Sequence, residues 1–157
     1  MPTEGKSQAV NLHRILFATD FSAASETAFE YAIALARDSG ATLMMVHVEE
    51  PTVSYPGGEM VYVYAEQPNP VVRQMLEARA SRIGSIPYEL YLETGHAADE
   101  IARLADDQKA DLIVLGTHGR RGLVRLLMGS VAELVMRRAT CPVLAVKAAA
   151  GAKENSP

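Results

Sequence analysis

A run of apolar residues, Leu112 to Leu115, breaks off at Gly116, and this break with its downstream glycines constrains the chain more than any other stretch of it. Gly119 comes next, and after nine more residues Gly129, Ser130 and Val131 open a pattern of helical spacing. The order is strand, glycine loop, helix start. Glycines at a strand end let the backbone take positive φ and let a ligand approach the peptide groups closely. A helix start offers unpaired N–H groups and the positive end of the macrodipole, which together suit an anion such as phosphate. The stretch predicts a phosphate cradle, and with it a nucleotide-binding domain.

The rest of the chain supplies the elements such a loop needs. Arg14 to Thr19 (RILFAT) and Thr42 to Val48 (TLMMVHV) are two more apolar runs of strand length. Continuous rather than alternating patterning suits parallel strands covered on both faces. Ser22 can cap a helix on which Ala24, Thr27, Ala28, Tyr31, Ala32 and Leu35 recur until Gly40. Residues 49–68 form a long connection with prolines and Gly57-Gly58, and loops of that length are usually functional or disordered. Asn69-Pro70 gives a cap and first-turn proline for a second helix marked by Val72, Met75, Leu76, Arg79, Ala80 and Ile83. Pro87 opens YELYLE, which alternates and carries two acids, as an edge strand would. Gly95-His96 precede a third helix with Asp99 and Glu100 in its first turn, and PVLAVK supplies a last strand. Five strands alternating with four helices predict an α/β fold of one domain, a doubly wound five-stranded parallel sheet with helices on both faces.

Length and charge fit that plan. With 157 residues the chain is expected to be a single domain over residues 12–147, with a flexible N-terminus over 1–11 and a flexible tail over 148–157. Cys141 is the single cysteine and cannot pair internally; nothing in MPTEGKSQAV reads as a signal peptide, so a cytoplasmic location is expected. The apolar runs are too short to cross a bilayer, and no membrane partner is expected. The net charge of −4 argues against a nucleic-acid partner, but its distribution matters more than its sum. Between Gly116 and Lys147 stand Arg120, Arg121, Arg125, Arg137, Arg138 and Lys147 against Glu133 alone, a surplus of five, leaving −9 for the remainder.

Common nucleotide signatures are missing. No G-x4-G-K-[ST] segment is present, and no G-x-G-x-x-G comes after the first strand. His13, His47, His96 and His118 are scattered without metal-ligand spacing, so no metal site of the protein's own is predicted. No nucleophile, base and orienter set is legible. Catalytic residues are therefore not assigned, and an enzymatic role is expected to be weak ATP hydrolysis at most.

The spacing Gly116-x2-Gly119-x9-Gly129-Ser130 resembles the nucleotide loop of the ATP-binding branch of the universal stress protein family. The flanks DLIVLGTHG, GSVAELVMRRATCPVLAVK and, near the N-terminus, ILFATDFS are similar too. The resemblance implies the strand order 3-2-1-4-5, which makes strands one and four neighbours with the winding reversing between them. Ligands in such sheets bind outside the carboxyl ends of the strands at that reversal. Asp20 ends strand one and Gly116 ends strand four, so two features chosen independently converge on one crevice.

Site residues come in part from chemistry and in part from the resemblance. The Asp20 carboxylate can accept from the exocyclic amine of adenine, and the family's matching aspartate lies at the base. Gly116 and Gly119 are expected to let the backbone wrap ribose and phosphates, with Thr117 and Arg120 adding donors. Ser130 has two open readings. Ser130-x-x-Glu133 is a capping box, and the hydroxyl can also donate to phosphate while accepting from the backbone. The resemblance further implies main-chain contacts from Ala18, Thr19 and Val46, and a matching glycine at Gly95. The function expected is ATP binding, with Mg carried by the phosphates and nucleotide ordering the loop from Gly116 to Ser130 as a switch in stress signalling. A homodimer through the Pro142 to Lys147 strand and a protein partner of unknown identity are expected with it. A slow ATP hydrolase or nucleotidyl transferase, and an interaction module working without nucleotide through Tyr55, Tyr62 and Tyr64, are the alternatives.

Overall fold

The structure, a computed structural model, describes residues 10–65, 67–118 and 128–149. In chain order the strands are β1 (Arg14–Ala18), β2 (Thr42–Glu49), β3 (Thr52–Ser54), β4 (Val61–Val63), β5 (Tyr88–Thr94), β6 (Leu112–Gly116) and β7 (Val143–Val146). The helices are α1 (Ala23–Ser39), α2 (Pro70–Ala80), α3 (Ala97–Asp107) and α4 (Ser130–Arg138). Five strands form one sheet in the order β5-β2-β1-β6-β7, every pair parallel. That is the expected order, with YELYLE at one edge and PVLAVK at the other.

Successive strand residues point to opposite faces, so each apolar run feeds two cores. Ile15, Phe17, Leu43, Met45 and Val114 pack on one face with the apolar sides of α1 and α2. Leu16, Met44, Val46, Ile113 and Leu115 pack on the other with α3 and α4. This double coverage is why the sequence shows unbroken apolar runs rather than alternation.

The helix boundaries reflect local chemistry. Ser22 caps α1 by accepting from Ser25 N, and Gly40, at φ 72°, closes the helix with its N–H on Ala36 O. Asn69 caps α2 by accepting from Val71 N, and Pro70 occupies the first turn, where no N–H is required. Ile83 lies beyond the end of α2 at Ala80 yet is buried, so its helical spacing marks the core and not the helix.

One departure concerns the connection after β2. β3 and β4 form an antiparallel hairpin in which Val53 faces Tyr62, joined around Pro56–Gly58 with Gly57 and Gly58 at positive φ. The alternation of Val61, Tyr62, Val63 and Tyr64 is its signal in the sequence. No helix of the described residues is long and apolar enough to cross a membrane.

Candidate functional site

At the carboxyl edge of the sheet the chain leaves β1 toward one side and β6 toward the other, which opens a crevice between their ends. Three segments meet there through short contacts. Ser22 Oγ accepts from Ser25 N and donates to His118 O at 3.4 Å, so one hydroxyl both caps α1 and ties the β1–α1 turn to the end of β6. Gly129 N donates to Thr117 O at 2.5 Å, which brings the start of α4 back to the same strand end. Thr117 N in turn donates to Val146 O at 2.8 Å, fixing that end to β7.

The turn after β1 is strained and heavily braced. Phe21 sits at φ 63°, a left-handed conformation uncommon for a bulky residue. Asp20 Oδ1 accepts from Ser22 N at 3.0 Å, and Thr19 Oγ1 accepts from Phe21 N at 3.1 Å. Because a carbonyl can only accept, His47 Nδ1 is the donor in its 2.7 Å contact with Thr19 O. Arg79 enters from α2, its side chain only 10% exposed, and bonds Thr19, Ser25 and Glu26. Burial holds its guanidinium below the usual arginine value; Glu26 and, more weakly, Asp20 oppose that shift while Arg82 adds to it.

The start of α4 differs from the capping box its sequence suggested. Gly129 is the N-cap, with φ −71° and ψ 159°, and Ser130 is already the first helical residue. Its side chain is exposed, and Glu133 pairs with Arg137 at 2.9 Å rather than reaching back to the cap. Glu133 N donates to Gly129 O, the first bond of the helix. The amides of Ser130, Val131 and Ala132 precede it and have no acceptor among the described residues, as expected of a helix start.

Two glycines have reasons unrelated to any ligand. A Cβ on Gly116 would stand 2.8 Å from Ala24 C and 2.9 Å from Ser25 N. Gly116 is thus bare so that the first turn of α1 can lie directly on the end of β6, a packing reason that stands beside the expected approach of a ligand. Gly95 ends β5 at φ 151°, a Cβ there would meet Glu100 at 2.9 Å, and its N–H donates to Glu49 O. Turn geometry at the sheet edge is thus one reason for this glycine, beside the ligand role that the resemblance implies.

Ala18 and Thr19 are nearly buried at the end of β1, as is Thr117, whose hydroxyl lies 3.0 Å from His118 Nδ1. Gly119 and Arg120 lie outside the described residues, as do Arg121 and Arg125. Val46 is fully buried, and its carbonyl already accepts from Thr19 N at 2.9 Å. Bonding in a parallel ladder alternates between neighbours residue by residue. Val46 bonds toward β1 and Glu49 toward β5, where its carbonyl accepts from Gly95 N. The N–H and C=O of Val48 therefore point to the β1 side, where β1 has already ended at Ala18. The main-chain pair facing the crevice belongs to Val48 and not to Val46. The two share a face, so a two-residue slip along the strand was invisible in the sequence.

Comparison with known proteins gives a consistent picture. A sequence profile of the Universal stress protein family matches residues 11–147. Universal stress protein MJ0531 of Methanocaldococcus jannaschii is 36% identical over 147 residues, which cover 87% of this chain and 84% of that protein. Among solved structures, the hypothetical protein MJ0577 superposes with a TM-score of 0.71 at 22% identity, covering 94% of this chain and all of the other. A universal stress protein in complex with cAMP superposes at 0.65 with 28% identity, covering 88% of this chain and 99% of that one.

Proposed function

This chain belongs to the universal stress protein family, and on that ground we propose that it binds ATP in the crevice between β1 and β6. The observation that carries the proposal is the pair of contacts, Ser22 to His118 and Gly129 to Thr117, that gathers the Asp20 turn and the start of α4 at one strand end. The parts offered there match the parts of an adenine nucleotide. The Asp20 carboxylate accepts from the adenine amine, while Val48 supplies a main-chain donor and acceptor for the ring edge. Thr19 and Ala18 wall the base side. The amides of Ser130, Val131 and Ala132, with the positive end of α4, take phosphate oxygens. Ser130, exposed and not engaged in capping, adds its hydroxyl. Gly119 and Arg120 contribute to the same loop, and Arg120 offsets phosphate charge.

Among the described residues no group of three or more His, Cys, Asp or Glu gathers to hold a metal. In this reading Mg comes to the site carried by the phosphates. A relative of 28% identity solved with cAMP supports a site for adenine compounds. Binding acts as a switch in the cytoplasm: phosphates gather the loop from Gly116 to Ser130, and a partner protein or second subunit reads the altered surface. Isothermal calorimetry with ATP, ADP, AMP, cAMP and GTP is expected to show binding for ATP and weaker binding for GTP. No heat with any adenine nucleotide at submillimolar concentration overturns the proposal.

The same family membership supports a homodimer through the strand from Pro142 to Lys147. Among the described residues β7 is the outermost strand on its side and pairs only with β6, so its other edge offers main-chain groups that a copy can satisfy. Light scattering at micromolar concentration is expected to give twice the chain mass of 16.9 kDa, and a purely monomeric result refutes this arrangement.

A further inference from the structure

We propose that Arg79 is a positioning residue for the nucleotide site, holding residues 19–22 in the strained turn that presents the Asp20 carboxylate; this rests on the adenine-nucleotide binding proposed above. Arg79 Nη1 donates to Thr19 Oγ1 at 2.7 Å and to Ser25 Oγ at 3.2 Å, while Nη2 meets Glu26 at 2.8 Å. The two hydroxyls are 2.7 Å apart. Thr19 Oγ1 also accepts from Phe21 N, so both its lone pairs are taken and its own proton must go to Ser25. The buried hydroxyl pair therefore has one consistent arrangement, and the arginine imposes it.

The same guanidinium lies over the Phe21 ring, 5.1 Å from its centroid, and that ring packs against His47 at 4.9 Å. His47 holds the carbonyl of Thr19, whose amide is already on Val46 O. Every polar group of Thr19 is thus tied, and Phe21 is gripped by its ring. A left-handed bulky residue persists only where its surroundings over-determine it, and such strain concentrates at functional sites. Here the strain lies one residue past Asp20.

A plain structural role for Arg79 is a staple between α1 and α2. Arg82, two residues past the end of α2, already fills that role, since it pairs with both Glu26 and Glu30 and lies over Phe29. Arg79 shares Glu26 and the Phe29 ring with Arg82, and what it adds is its reach to Thr19 and Phe21 of the turn and to Ser25 in the first turn of α1. Its position beside Leu76 and Ala80, the buried residues of α2, makes it a charged group placed where a leucine would pack.

The test uses Arg79→Met, which keeps the length and apolar body of the side chain and removes all donors. In the ligand-free protein, hydrogen exchange at the Phe21 and Ser22 amides is expected to quicken about tenfold, with amides inside β1, β2 and β6 unchanged. ATP affinity is expected to fall about tenfold while inorganic tripolyphosphate, which engages only the α4 side, changes less than about twofold. Unchanged exchange at Phe21 and Ser22, or equal losses for ATP and tripolyphosphate, overturns the proposal. If wild-type protein binds no adenine nucleotide, the proposed function falls, and the exchange measurement still decides whether Arg79 holds the turn. Should Arg79→Met fail to fold, Arg79→Lys keeps the charge without the fork. Faster exchange confined to those two amides then supports the role, and wild-type protection refutes it.

Discussion

Gly116→Val is expected to cost about 3 kcal/mol of stability in the absence of any nucleotide, and Gly116→Ala about half of that. The prediction comes from one contact: a Cβ at this position would stand 2.8 Å from the carbonyl carbon of Ala24 and 2.9 Å from the amide of Ser25. Both are backbone atoms in the first turn of α1, so no rotamer change relieves the clash. The helix must lift from the end of β6, or the strand must bend. Either movement strains Ser22, whose hydroxyl joins that turn to His118. For a domain of this size the loss corresponds to a fall of roughly 6 to 12 °C in melting temperature. Urea and thermal unfolding of the ligand-free variants measure it, and melting within about 1 °C of wild type would show that the packing is loose after all. The result also bears on how site variants are read. Loss of ATP binding in Gly116→Val would report a displaced helix as readily as a lost ligand contact, whereas Ser130→Ala leaves the packing alone.

Gly116 shows how far a sequence carries. The strand it ends was legible because Leu112, Ile113, Val114 and Leu115 are all apolar, and only a doubly covered strand needs that. The same logic found β1 and β2. Helix starts at Ser22 and Asn69 were legible because capping is a local bond between residues two or three apart. The reason for a glycine is not local. Whether its missing side chain makes room for a ligand or for a helix depends on what lies across from it, and Ala24 is 92 positions away in sequence. The capping-box reading of Ser130 failed for a related reason: Gly129 and Ser130 are both acceptable N-caps, and in the structure Gly129 takes the position, with its N–H on Thr117 O. Which residue of β2 turns unpaired main-chain groups past the end of β1 depends on where β1 stops, and the apolar run of β2 does not mark that. Arg79 did leave a trace, a charge on an otherwise apolar helical face, but its partners on β1 and α1 come together only in the fold.

Asp20→Asn is expected to weaken ATP binding about 10- to 100-fold and to narrow or reverse the preference for ATP over inosine triphosphate. The geometry of the turn makes the direction of this change specific. Asp20 Oδ1 accepts from Ser22 N at 3.0 Å, and an asparagine can keep that bond only by placing its own carbonyl oxygen there. Its amide nitrogen is then forced into the place of the second carboxylate oxygen. A donor would face the adenine amine, which is also a donor, and the hydrogen bond becomes a repulsion. Hypoxanthine presents a carbonyl at the same ring position, so inosine triphosphate gains what ATP loses. The charge-assisted bond that disappears is worth about 1.5 to 3 kcal/mol, which sets the size of the effect. The bond to Ser22 survives in that arrangement, and melting of the ligand-free variant, measured beside the titrations, separates any loss of stability from the lost ligand contact. Paired calorimetric titrations with the two triphosphates decide the matter. Equal weakening of both would place the contact of Asp20 on ribose or phosphate, and unchanged affinity for both would remove Asp20 from the site altogether.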